Sequence, residues 1–260
     1  MKILRLRSLQ LLMAYSKIIQ GFSTGALAKG NFYLALELLQ GSSANAVELS
    51  ALREDEVKTL IAVLSDLNLD KYEYISFHAP SKLFLMHERE LINLVAPVVK
   101  KGWPVIVHPD IISDYGAWRQ LNNCLCIENM DKRKPTGRTS ADMETIFEKL
   151  PEASFCFDIA HAHQVDPTMA DAYTMVTKFK HRLREIHISS VNTQSQHEGI
   201  TFEALLSFRK IADFIPAVPV IIESTVTPDK IETELQLAAL SLKKETDKSI
   251  IEDFEAVLNY

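Results

Sequence analysis

Glycine is the first shortage, with 8 in 260 residues. A chain so poor in glycine carries no long flexible linker. The turn after its first strand-like run, "GFSTGALAKG", lacks the Gly-x-Gly-x-x-Gly spacing with which an open α/β sheet holds a dinucleotide. Cysteine is scarce as well. The three present, Cys124, Cys126 and Cys156, sit inside apolar runs, and their number is odd. That excludes a disulfide framework and points to a reducing, cytoplasmic setting. No apolar run approaches the ~20 residues of a membrane-spanning helix. Positive charge is not in excess: 28 Lys and Arg face 34 Asp and Glu, for a net charge of −6. An overall basic surface for nucleic acid is therefore excluded, although a local basic groove is not. No small-residue cleavage site follows the start "MKILRLRSLQLLMAY". We read residues 1–18 as an N-terminal extension of uncertain order and residues 19–260 as one domain, without composition break or low-complexity segment.

What is present is regular alternation. Strand-like runs recur as "IIQGFS", "NAVELS", "YEYISFHA", "WPVIVH", "NCLCIEN", "SFCFD", "LREIHIS" and "VPVIIES". Between them lie segments such as "REDEVKTLIAVLSDL" and "TMADAYTMVTKFKHRL", with apolar residues three and four apart, as a helix packed on one face requires. Strand and helix in alternation predict parallel pairing through right-handed crossovers. Repeated eight times in about 250 residues, this predicts a closed (β/α)8 TIM barrel. A further helix is expected at "SIIEDFEAVLN".

Polar residues collect at the strand ends. Glu48, His78, His108, Glu128, Asp158, His187 and Glu223 close or nearly close every run but the first. In a parallel barrel these ends share one mouth, where active sites are built. Carboxylates clustered there without a cation repel one another, and unpaired burial costs several kcal/mol each. A divalent metal removes the difficulty. Strand parity puts Cys124, Cys126 and Glu128 on one face and Cys156 with Asp158 on one face. The cysteines then read as filler below the site. "FDIAHAHQ" adds His161 at the same mouth, with His163 two residues beyond it.

The ordered set "SFHAP", "VIVHP", "CIEN", "FDIAHA", "EIHIS", "HEGI" and "VIIES" resembles the xylose isomerase-like TIM-barrel superfamily, over about residues 21–223. That superfamily includes sugar isomerases and epimerases and the endonuclease IV class of abasic-site endonucleases. The resemblance implies a shared metal site of Glu128, Asp158, His187 and Glu223, loaded with Zn²⁺, Mn²⁺ or Mg²⁺. It implies a second metal on His78 and His108 with Glu128 bridging, and a weak third site at His161 and His197. The endonuclease pattern has an aspartate where this chain has Ser195, and an aromatic residue where it has Ser81. The epimerase pattern has an acidic residue and an arginine that "HISSVNTQSQ" lacks.

Three readings follow. The first is a metal-dependent isomerase or epimerase of a sugar or sugar phosphate. There Glu128 and Glu223 face each other across the substrate and move the proton next to its carbonyl. His161 and His197 hold substrate, and Glu48 orients His78 or the substrate, or is simply a structural carboxylate. Arg138, in the basic loop "NMDKRKPTGR", offers a phosphate contact. The second reading is a zinc-dependent, abasic-site endonuclease-like phosphodiesterase. DNA is a partner only there, with the same loop as its positive rim. The third is a barrel that binds a metabolite without chemistry. The oligomeric state is left open.

Overall fold

The structure is a computed structural model and describes residues 18–243 and 250–258, apart from the side chain of Glu252. The expected N-terminal extension lies outside the described residues, except for Ile18. The strands are β1 (Gln20–Ser23), β2 (Ala46–Ser50), β3 (Tyr74–His78), β4 (Val105–Val107), β5 (Leu125–Glu128), β6 (Ser154–Asp158), β7 (Leu183–Ile188), a hairpin of β8 (Ser190–Val191) with β9 (His197–Glu198), and β10 (Val220–Ile222). All eight strand-like runs enter the barrel. It closes in the order β1-β10-β7-β6-β5-β4-β3-β2, with every pair parallel. The expected (β/α)8 architecture is observed, and the final helix forms at Ile250–Leu258.

Alternation along the strands sorts the side chains. On β6, Phe155 and Phe157 point outward; Phe155 packs with Phe147 and Phe179 of the surrounding helices, and Phe157 packs with Phe155. Burying each such ring stabilises the fold by roughly 1.5–3 kcal/mol. Cys156 and Asp158 point inward. Cys156, Cys126 and Ile106 form a small cluster separate from the main core, so these two cysteines are the filler that parity predicts. Cys124 departs from that expectation. The strand begins only at Leu125, and Cys124 sits in the preceding 3-10 turn with Sγ 4.0 Å from the Val99 carbonyl.

Gly21 is required by closure. A Cβ there would lie 1.7 Å from the Ala46 carbonyl oxygen, so only glycine lets β1 meet β2. Register then aligns the mouth: Asp158 pairs with His187, and His78 with Ser50. His108 and Glu223 stand just beyond β4 and β10. The helix Ile159–Val165 starts where it does because Asp158 caps it, its Oδ1 accepting from the His161 amide at 2.7 Å.

Candidate metal centre

The strand C-termini open on a cavity of about 610 Å³. His78, His108, Glu128, His161, His197 and Glu223 line it. Glu128 is the hub and is buried. Its Oε2 lies 3.1 Å from His78 Nε2 and 3.2 Å from His108 Nε2, and its Oε1 lies 3.2 Å from His161 Nδ1. His187 Nδ1 approaches from the far side, 3.9 Å from Glu128 Oε2 and 3.6 Å from Glu223 Oε1. Glu223 Oε2 is 3.6 Å from His197 Nε2.

The outward nitrogen of each ring fixes what the inward one offers. His78 Nδ1 donates to the Ala79 carbonyl at 2.7 Å, leaving Nε2 directed at Glu128. In His161 one nitrogen serves both sides: Nδ1 donates to the Asn129 carbonyl at 3.0 Å and also faces Glu128 Oε1 and Asp158 Oδ2, each at 3.2 Å. His187 Nε2 donates to Glu185 Oε1 at 3.0 Å, leaving Nδ1 for the mouth. His197 Nδ1 is bonded to Ser189 Oγ at 2.8 Å. His108 is the exception. Its Nδ1 is 3.4 Å from Lys134 Nζ, which only donates. The proton of a neutral His108 is thereby placed on Nε2, so the ring aims an N–H at Glu128 where a metal ligand would offer a lone pair.

Electrostatics follow from this crowding. Burial pushes the Asp158 carboxyl up to about 7, against the pull of His161. Burial alone would depress His161, but the charges of Asp158 and Glu128 outweigh it and raise the ring to about 10. Burial opposes protonation of His78 too, yet Glu48 and Glu128 overcome it and raise that ring to about 9. Desolvation would raise Glu128, but His108, His161 and His78 outweigh it and hold the carboxyl well below the usual range. Glu223 is lowered in the same way, with His187 and His197 overcoming its burial. His108 is lowered by burial, with His78 and Lys134 adding to the effect.

The residues fit a divalent ion at one group best. Glu128, Asp158, His187 and Glu223 bring four ligand atoms within 4.8 Å of one another. Two buried atoms in that group make no hydrogen bond: Asp158 Oδ2, which faces His161 Nδ1 at 3.2 Å, and His187 Nδ1. Buried polar atoms are rarely left so. Among the described residues, no lysine or arginine forms an ion pair with any of the four. His78, His108 and Glu128 form a second group of ligand spacing, and Asp158, His161 and His197 a third. Lys134 opposes ligation by His108 in the second. In the third, Ser195 turns away, its Oγ donating to Gln164 Oε1 at 2.8 Å.

The other expected residues are placed as follows. Glu48 is fully buried beneath His187, with Oε2 3.1 Å from His187 Nε2, and does not line the cavity. Arg138 does not line it either; its amide donates to Asp142. Lys134 and Lys82 stand at the mouth in its place. His163 packs edge-on against Phe208, with ring centroids 5.8 Å apart, outside the cavity. Sequence reasoning passed over three residues. Asn129, fully buried, clamps β5 to β6. Its Nδ2 donates to the Asp158 carbonyl and its Oδ1 accepts from the Asp158 amide, both at 2.8 Å. Glu185 and Tyr74 lie below His187, with Tyr74 Oη donating to Glu185 Oε2 at 2.5 Å. The available signals were the amide directly after Glu128 and the two-residue spacing of Glu185 from His187.

No family model matches the chain, and no curated protein matches it. Solved structures do. D-psicose 3-epimerase from Clostridium cellulolyticum, solved with D-tagatose, is 9% identical with a TM-score of 0.53, covering 93% of this chain and 97% of its own. Endonuclease IV from Thermus thermophilus is 17% identical with a TM-score of 0.55, covering 87% and 99%. A xylose isomerase-like TIM barrel protein from Mycobacterium smegmatis, solved in complex with magnesium, is 12% identical with a TM-score of 0.51, covering 84% and 92%. At this identity the likeness is one of fold, the closed (β/α)8 barrel that these neighbours share with the chain. The first two of these neighbours are enzymes by name. No helix among the described residues is long and apolar enough to cross a membrane.

Proposed function

We propose that the chain is an isomerase or epimerase of a sugar or sugar phosphate that depends on one divalent metal ion. The observation that carries this is the convergence of Glu128, Asp158, His187 and Glu223 at ligand spacing, with Asp158 Oδ2 and His187 Nδ1 making no hydrogen bond. Lys134 approaches His108 in the second group, and beside the third group Ser195, where the resemblance expects an aspartate, is bonded to Gln164 instead. A bound ion of this kind supplies Lewis-acid stabilisation of the negative charge that develops on substrate oxygens.

The chain's own groups do the rest. Glu223 lines the cavity, with its side chain 12% exposed, and is placed to exchange a proton with substrate. Glu128 is nearly sealed, at 1%, and three imidazoles hold its oxygens. Its part is to hold the metal and anchor the rings more than to act as a free base. His161 and His197 stand 5.2 Å apart at the wall and offer N–H groups to substrate hydroxyls. Lys82 and Lys134 give a phosphate a place at the mouth. The test is incubation of the metal-loaded protein with a panel of ketoses and their phosphates in D2O. Deuterium entering next to the carbonyl, lost on chelation, supports the proposal. No exchange with any member counts against it.

One observation favours a second reading, hydrolysis of a phosphodiester by two or more zinc ions. His78 and His108 both reach Glu128 Oε2, at 3.1 and 3.2 Å, as a bridging carboxylate would require. The exposed tip Phe84–Leu85, beside the mouth, supplies apolar side chains near the place where Ser81 lacks one. Metal analysis separates the readings: one ion per chain for the isomerase, two or three for the hydrolase. Chelator-sensitive cleavage of an abasic duplex would establish the second.

A further inference from the structure

A buried acid and a phenol lie below the metal centre, and the proton-transfer reading uses neither. Glu185 is fully buried in the barrel interior, two residues before His187 on β7. Its Oε1 accepts the His187 Nε2–H at 3.0 Å. Its Oε2 accepts from Tyr74 Oη at 2.5 Å, across the barrel from β3. This interior layer of a TIM barrel is usually filled by branched apolar side chains. A buried carboxylate costs desolvation that an apolar residue at the same place would not. Each of its oxygens has a defined donor, so it is not an uncompensated defect.

The consequence runs through His187. An imidazole has one inward and one outward nitrogen, and the outward partner decides which carries the proton. Glu48 Oε2 also approaches Nε2, at 3.1 Å, but makes no hydrogen bond to it. Glu185 does, and Tyr74 prevents it from turning away. Nδ1 is left without a partner, pointing at Glu128 and Glu223.

Building on the metal-centre reading above, we propose that Glu185, held by Tyr74, is the positioning residue that orients His187 and presents its Nδ1 lone pair to the metal. Glu185 touches neither substrate nor metal; it acts through His187 alone. Partners of this kind change metal affinity by about 10–100-fold when removed.

Cobalt(II) titration against a competing chelator, with the visible spectrum of the bound ion, tests the proposal. Glu185→Gln keeps the shape and removes the charge. It is expected to weaken Co(II) binding by about 10–100-fold and to shift the visible bands. Tyr74→Phe leaves the acceptor but frees it, and the loss is expected to stay under about tenfold. A purely structural role would lower thermal stability without changing the spectrum. The sharper arm is coupling. In a His187→Ala background, Glu185→Gln is expected to have no further effect on Co(II) affinity, because the two act as a unit. Additive losses would overturn the proposal, as would native affinity and an unchanged spectrum in Glu185→Gln. If Glu185→Gln fails to fold, Tyr74→Phe and its combination with His187→Ala carry the same comparison. Native protein that takes up no Co(II) or Zn²⁺ would remove the metal-centre reading and this inference with it. Native uptake with an indifferent Glu185→Gln would remove the inference alone.

Discussion

Asn129→Ala is the perturbation whose size the structure fixes most directly. Asn129 is fully buried, directly after the last residue of β5, and reaches the last residue of β6. Its side chain makes two hydrogen bonds of 2.8 Å to the backbone of Asp158, one to each polar group. Alanine removes both: the Asp158 N–H is left buried without a partner, while the Asp158 C=O, at the helix N-cap, keeps only its first intrahelical bond. The orphaned N–H costs about 1–3 kcal/mol and the bond lost at the carbonyl about 1 kcal/mol, so the expected loss is roughly 2–4 kcal/mol. For a chain of this length, 1 kcal/mol moves Tm by about 2–4 °C, so metal-free Asn129→Ala is expected to melt roughly 4–16 °C below native protein. Differential scanning calorimetry in chelator, with urea unfolding as a second probe, measures this. The same clamp holds the peptide that carries a metal ligand, so Zn²⁺ affinity should fall as well. A Tm within about 1 °C of native, with unchanged metal affinity, would refute the reasoning. It would show that the two bonds are replaced by solvent at no cost.

Asp158→Ala is expected to strip the metal, and elemental analysis of the dialysed protein shows it; an unchanged metal content would place the ion elsewhere. Glu223→Gln should keep substantial metal and lose turnover by at least about a hundredfold, the usual contribution of a positioned general base; full activity would remove Glu223 from proton transfer. Lys134→Met frees His108 to protonate at Nδ1, so occupancy of the His78, His108 and Glu128 group by Zn²⁺ is expected to rise, as metal stoichiometry above that of the native protein. Metal uptake should also depend on pH. Asp158 in the metal-free protein is held near 7, and His187 is raised well above its usual value, its burial outweighed by Cys156, Glu223 and Glu48; both must lose a proton to bind, so affinity is expected to fall by at least about tenfold from pH 8 to pH 6. A flat profile in isothermal titration would contradict that sign.

The barrel was legible because strand parity and helix period are both written locally. Every run became a strand, and the mouth residues were recognisable as polar side chains ending apolar runs. The boundaries were less so. His108 and Glu223 fall just outside their strands, since β4 and β10 stop where the backbone turns into the loop. What the sequence concealed was directional. Nothing in "NMDKRKPTGR" says that Lys134, not Arg138, reaches the cavity, because loop geometry decides it. Glu48 and Glu128 look alike as inward carboxylates, yet one is sealed under an imidazole and the other lies among three. The roles of Glu185 and Tyr74 depend on contacts across the barrel, between residues 111 positions apart. The two-residue spacing sets Glu185 on the same face as His187, but no local pattern names its partner.

Asp158 performs two tasks with one carboxylate: Oδ1 starts the helix Ile159–Val165, and Oδ2 faces the centre. Ion loading and the first turn of that helix are therefore mechanically joined. An ion held by Oδ2 fixes the carboxylate further, and with it the amide of His161 that Oδ1 already holds. Deuterium exchange at the opening turn of this helix should then report occupancy, slowing when the ion arrives, without any substrate being present.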